Sequence, residues 1–312
     1  KVLSLNEMNQ FYGTKNVTEK NDTQYQKNTT TQKKDDKKTL EKKQDKKTEE
    51  RKIEDKKVDD KKVNNQQTIT VKQGLTLLEV YKTMGLNLAY KPLCATINNK
   101  AKCLNAKLYD NADIQYFDIT SPLGKKNYLL GLFFILTKAV DELYPNSKVE
   151  INNSISKGTY CQIHIGRELT DDDITAINGR VQAIIDSAIP FERHKEPTDS
   201  VIALMEQQGR KDLSRLLKST GELYTTYYTL NNYADFFFGT LPPDTSYIYL
   251  YGIEKYGNGV LLRIPDSKNP SQLREKTNQE KMFNIFSEFH SWQNILGIST
   301  LGDLNLATTS GH

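Results

Sequence analysis

Sulfur, imidazole and indole are scarce in this chain, which has three cysteines, four histidines and one tryptophan among 312 residues. Cys94, Cys103 and Cys161 are odd in number and lack zinc-type spacing. This argues against a disulfide scaffold or a zinc ribbon and favours a reducing compartment, with the cytoplasm as the default. His164 on an expected strand, His194 in an expected loop, His290 late in an expected helix and His312 at the last residue are too scattered to read as a metal set or a catalytic array. An excess of charge of one sign is also missing: 43 Lys and Arg stand against 39 Asp and Glu, a net +4, so no general case for nucleic-acid binding exists and local patches must carry one. No G-x-x-x-x-G-K-[ST] run occurs, which leaves no cradle of backbone amides and lysine for nucleotide phosphates. The opening "KVLSLNEMNQFYG" has no continuous apolar stretch of the secretory type, and the lack of an initiator Met suggests a trimmed or fragmentary chain.

Long hydrophobic runs are absent too. The least polar segment, Asn127 to Pro145, meets Thr137, Lys138, Asp141 and Glu142 well before the roughly 20 apolar residues that a bilayer span needs. No membrane partner is therefore expected. Leu129, Leu132, Phe133, Leu136, Val140 and Leu143 recur at helical spacing, and Leu130, Phe134 and Ile135 add a second apolar flank. Together they predict a helix buried on most of its sides.

Composition divides the chain. Residues 1–67 include a Lys-, Asp- and Glu-rich tract whose blocks of opposite charge nearly cancel, which predicts a disordered, solubilising tail. Order is expected from Thr68: "TITVKQGLTLLEVY" reads as strand, turn at Gly74 and helix, and short apolar segments separated by Asn and Asp turns continue to "IQYFDIT". That is a small α+β unit over 68–121. The region 122–312 reads as the apolar helix, then strand, turn, strand and a helix with Thr170 and Asp173 as its capping pair and Ile174, Ile177, Val181, Ile184 and Ile185 as its buried stripe. Thr198 is placed to cap the next helix and Gly209 to end it, "KDLSRLLKST" follows as a short helix, and "ELYTTYYTL", "YADFFFGT", "SYIYLYGI" and "GVLLRIP" read as aromatic strands.

The order of elements around "GLTLLEV" and "IQYFDIT" resembles the β-grasp TGS domain that opens threonyl-tRNA synthetases, with its first strand eroded. From Thr68 to about Pro265 the chain resembles that domain followed by the second additional, or editing, domain of the same enzymes. The fold implied is α+β throughout, a TGS-like unit and then an editing-like unit. In those synthetases the helix corresponding to "LLGLFFILTKAVDELYP" carries HxxxH and a later loop carries CxxxH. The resemblance puts Leu130 and Phe134 at the two histidine positions, and Phe237 and Leu241 at the Cys and His positions in "FGTLP". Leu and Phe can neither bind a metal nor move a proton, so the cleft is expected to be apolar and without hydrolytic chemistry.

The runs "EKMF", "WQNILGIS" and "GDLN", within a stretch extending to His312, resemble the N-terminal half of fused nucleoside kinases of the uridine kinase type, in which such domains precede a P-loop kinase domain. This resemblance implies an accessory region that binds RNA, a small nucleotide ligand or its own kinase domain. It needs no cofactor itself, and ATP and Mg belong only to the kinase domain absent from this sequence. For RNA, Lys125, Lys126, Lys157 and Arg167 would hold phosphates and Tyr160 or Phe237 would stack on bases. The alternatives are a hydrolase acting in trans on misacylated tRNA, against which the missing HxxxH and CxxxH speak, and a Lys-rich tether carrying the folded region to an acidic surface.

Overall fold

The computed structural model describes residues 70–295, 297 and 301–310. The charged tract of residues 1–67 and His312 lie outside the described residues. Residues from Val71 onward belong to one compact unit of mixed α+β structure, and every strand pair described is antiparallel.

The first helix, α1 (Leu77–Met84), begins at a capping box: Glu79 N donates to Thr76 Oγ1 at 3.2 Å while Thr76 N donates to Glu79 Oε2 at 2.7 Å. Gly85 closes it in the left-handed region. Three strands follow, β1 (Cys94–Ile97), β2 (Lys100–Cys103) and β3 (Ile114–Phe117), in the order β2-β1-β3. The β1–β2 turn is Asn98-Asn99, both at positive φ, a geometry that asparagine tolerates well and that matches the twist of a two-residue hairpin. Leu77, Ala95, Leu104 and Tyr116 form the core of this part. Of the strand expected before Gly74, Thr68 and Ile69 lie outside the described residues, and residues 70–72 are not in a strand. Gly74 N instead donates to Leu108 O at 2.7 Å, holding this segment beside Ala106–Leu108 without a regular ladder.

The apolar run forms α2 (Pro122–Leu143), with Ser121 Oγ accepting from Gly124 N at 3.0 Å as its N-cap. It is buried nearly all round, as its two apolar flanks predict. Even Lys138 is buried, its ammonium 2.9 Å from Glu142 and over the Tyr233 ring. Behind α2 lies a four-stranded sheet of β4 (Lys148–Ile155), β5 (Gly158–His164), β9 (Gly252–Tyr256) and β10 (Gly259–Arg263), ordered β4-β5-β10-β9. α3 (Asp171–Asp186) joins α2 on one face, and its five predicted stripe residues are all buried. Side chains alternate across a strand, so Cys161 and Ile163 enter this main core while Tyr160 faces the other way. There it packs with Phe283 and Phe286 of α6 (Glu280–Ile295).

A third sheet, ordered β6-β7-β8, consists of β6 (Glu192–Pro197), β7 (Tyr224–Leu230) and β8 (Tyr233–Asp235). α4 (Thr198–Gln207) and α5 (Lys211–Thr220) pack against it through Val201, Met205 and Leu217. α7 (Leu301–Ser310) contacts α5, where Arg215 Nη1 lies 2.9 Å from Asp303 Oδ1.

Four local expectations are corrected here. Thr198 does not cap α4, because its hydroxyl is 2.9 Å from that of Thr225, a buried cross-link to β7. His194 is on β6 rather than in a loop, stacked on Tyr227 with Nε2 at 2.8 Å from Thr229 Oγ1. "YADFFFGT" leaves the sheet after Asp235, and "SYIYLYGI" holds a 3₁₀ turn (Thr245–Tyr247) before β9 begins at Gly252.

Candidate functional site

A cleft of about 840 Å³ opens where four segments meet: the β2 end of the first hairpin, the first two turns of α2, the facing parts of β6 and β7, and the loop Phe236–Thr240. Loop and helix approach so closely that a Cβ on Gly239 would stand 2.7 Å from Leu130 Cδ1 and would have to push that methyl aside. The Tyr228 hydroxyl pins the loop by donating to Gly239 O at 2.9 Å, and it also lies 3.4 Å from Cys103 Sγ on β2.

The walls are aromatic and aliphatic, chiefly Phe236, Phe237, Phe238, Tyr228 and Leu130, while Lys102, Lys126 and Arg193 are exposed at the margin together with Glu192 and Glu222. Burial pushes the Tyr228 phenol up, and the neighbouring Cys103 adds to this. The Cys94 thiol beside the cleft is pushed up to about 12, again mainly by burial. Both stay protonated at neutral pH, which makes them hydrogen-bonding or packing groups rather than nucleophiles. Asn127 is the buried amide of the wall, which also carries Asn105, Thr225, Thr226 and Thr240. The Asn127 Nδ2 donates to Thr240 Oγ1 at 3.1 Å, and its Oδ1 has no partner among the described residues.

The four positions matched to the editing motifs fall in one neighbourhood. Leu130 and Phe237 line the cleft, Phe134 lies directly behind with its ring 5.2 Å from that of Phe237, and Leu241 is fully buried in the same core. Of the six suggested contact residues, Lys126 and Phe237 line the cleft, and the other four do not converge on it. The Lys125 ammonium is 3.1 Å from Ser267 Oγ, and its pKa is lowered by burial and then by Arg274. Lys157 is exposed in the β4–β5 turn. Arg167 is bound to Asp173 at 2.5 and 2.8 Å, and Tyr160 lines a separate cavity of about 190 Å³ beside α6. The sequence reading missed Asn127, Lys102, Arg193 and Tyr228. Only Asn127 carried a local signal, as an amide opening the least polar run of the chain. Among the described residues no three His, Cys, Asp or Glu side chains gather into a metal set, and no helix is long and apolar enough to cross a membrane.

No protein-family model matches the chain. Its sequence is 26% identical over 185 residues to the threonine–tRNA ligase of Carboxydothermus hydrogenoformans, a match covering 59% of this chain and 29% of that protein. The corresponding enzyme of Clostridium kluyveri is 26% identical over 182 residues, 58% of this chain and 29% of that protein. That of Francisella tularensis subsp. holarctica is 22% identical over 246 residues, 72% of this chain and 39% of that protein. The chain thus spans less than half the length of these curated relatives, and the part that matches is a threonyl-tRNA synthetase-like α+β region.

Proposed function

We propose that this region is a non-hydrolytic derivative of a synthetase editing domain, preceded by a TGS-type unit, and that its cleft binds an RNA end or a small nucleotide ligand. The observation that carries the reading is the convergence of Leu130, Phe134, Phe237 and Leu241, from two segments about a hundred residues apart, on one cleft and the core behind it. Side chains at those positions can exclude water and stack against a ring, but they cannot polarise an ester or activate a water molecule. The Phe236–Phe238 triplet and the cations Lys102, Lys126 and Arg193 supply the pairing of aromatic surface and positive charge that suits a base and its phosphate.

The second part of the proposal is that the region serves a polypeptide of the nucleoside (uridine) kinase type, where a kinase domain would bring ATP and Mg. It rests on the likeness of "EKMF", "WQNILGIS" and "GDLN" to such proteins. A hydrolase acting in trans is the second reading, and no group in the cleft favours it.

The test is to mix the chain with charged and uncharged tRNA at low and moderate salt. If the three marginal cations each contact a phosphate, affinity should fall on the order of 20-fold between ~50 and ~200 mM salt. Lys126→Ala should weaken binding, and no amino acid should be released. Release of the amino acid would refute the non-hydrolytic reading, and failure to bind tRNA or nucleotides at low salt would refute the binding reading.

A further inference from the structure

Helix α6 is apolar over two adjoining faces, one packed and one exposed. Phe283 and Phe286 turn inward and pack on Tyr160, Ile155 and Leu261 of the four-stranded sheet. On the neighbouring face, Met282, Ile285, Phe289 and Trp292 stand 44%, 65%, 59% and 59% exposed. Their spacing of three, four and three residues is that of the a and d positions of a two-helix seam. A single exposed apolar residue needs no explanation, but four large ones in line on a helix already anchored by its other face mark an interaction surface.

The order of residues in the stripe indicates what fits it. Laid antiparallel on itself about a twofold axis level with Ser287, the stripe sets Met282 against Trp292 of a second copy and Ile285 against Phe289, with each layer pairing an aliphatic side chain with an aromatic one. The same patch meets itself, as an isologous interface requires. The four side chains leave on the order of 500 Å² exposed per copy. With their flanks, two copies would bury close to the ~1,200 Å² at the low end of stable specific interfaces, so the association should be weak.

We propose that α6 is a homodimerisation helix, pairing antiparallel with α6 of a second copy of this chain through Met282, Ile285, Phe289 and Trp292. This proposal is independent of what the cleft binds. Trp292 is the only tryptophan of the chain, so its fluorescence reports on the seam alone.

The test is sedimentation of the full chain across the micromolar range, with Trp292 emission followed in parallel. A monomer–dimer equilibrium is expected, with emission moving to shorter wavelength as the dimer forms. Phe289→Glu and Ile285→Lys should each be monomeric with thermal unfolding close to wild type, because both side chains already face water. Mixed together they should form a heterodimer, since position 289 of one copy meets position 285 of the other. A wild-type chain that stays monomeric with unshifted emission at high micromolar concentration would overturn the proposal. So would an intact Phe289→Glu dimer, and failure of the mixed variants to associate would overturn the antiparallel register.

Discussion

Replacing Phe134 by histidine would restore the side chain that the family resemblance assigns to this position, yet the packing predicts a loss of stability and no gain in chemistry. Phe134 is fully buried, with ring centroids 5.7 Å from Phe191, 5.2 Å from Phe237 and 6.1 Å from Tyr233. Emptying such a site costs about 3–5 kcal/mol. An imidazole refills part of the space, but its polar nitrogens lose their water at a cost of about 1–3 kcal/mol when no partner replaces it. A net penalty of about 3 kcal/mol follows, equivalent to a fall in Tm of roughly 6–12 °C for a folded unit of this size. The pH dependence has a definite sign. Burial depresses the imidazole pKa in the folded state, so below about pH 6.5 the unfolded chain binds the extra proton and the deficit grows as pH falls. Thermal unfolding followed by circular dichroism at mildly alkaline and mildly acidic pH measures both effects. Leu130→His is the control. Leu130 is only half-buried at the cleft wall, so the same change should cost less than about 1.5 kcal/mol. If Phe134→His melted within about 2 °C of wild type at both pH values, position 134 would not be the packed site described here, and the proposal of a non-hydrolytic cleft would lose its packing argument.

Two further outcomes concern the scaffold. The Asp173 carboxylate accepts from Arg167, from the Tyr144 hydroxyl at 2.6 Å and from Thr170, and these bonds, Arg167 first, hold it well below the usual carboxylate range. A depressed folded-state pKa contributes stability above the unfolded value near pH 4 and loses it below. The stability advantage of wild type over Asp173→Asn should therefore be flat from neutral pH down to about pH 5 and shrink on further acidification, as read by urea unfolding. Gly124→Ala should destabilise α2 by more than about 1 kcal/mol, although alanine is the better helix former, because its Cβ would fall 1.8 Å from the Asp118 carbonyl oxygen; thermal melting checks this.

What was legible in the sequence follows from how local each signal is. α2 and α3 could be read because helical periodicity and caps lie within a few residues of one another, and the hairpin turns because asparagine reports its own backbone. β6 escaped because "ERHKEP" is polar on both faces. It is an edge strand paired only with β7, and nothing in its own residues announces that partner. "YADFFFGT" misled in the opposite way: its aromatic content suits a strand, but Phe236 to Phe238 serve the cleft instead of a ladder. Lys125, Tyr160 and Arg167 were grouped on their residue types. Tyr160 turns to the outer face of its sheet while Cys161 turns inward, and Arg167 is committed to the cap of α3. Asn127 and Arg193 are neighbours of the cleft only through the tertiary fold, which no single-chain pattern encodes.

The cleft wall is assembled from the hairpin at Ala101–Ala106, the start of α2, strands near residues 190 and 225, and the loop before residue 240. No two of these can create it by forming early, because the closing contacts span more than a hundred residues, Cys103 to Tyr228 among them. Should the cavity take a ligand as proposed, its occupancy would be a gauge of maturation. A chain still missing its last long-range docking step would offer such a ligand an incomplete wall, and binding would selectively lengthen the life of molecules that have completed assembly.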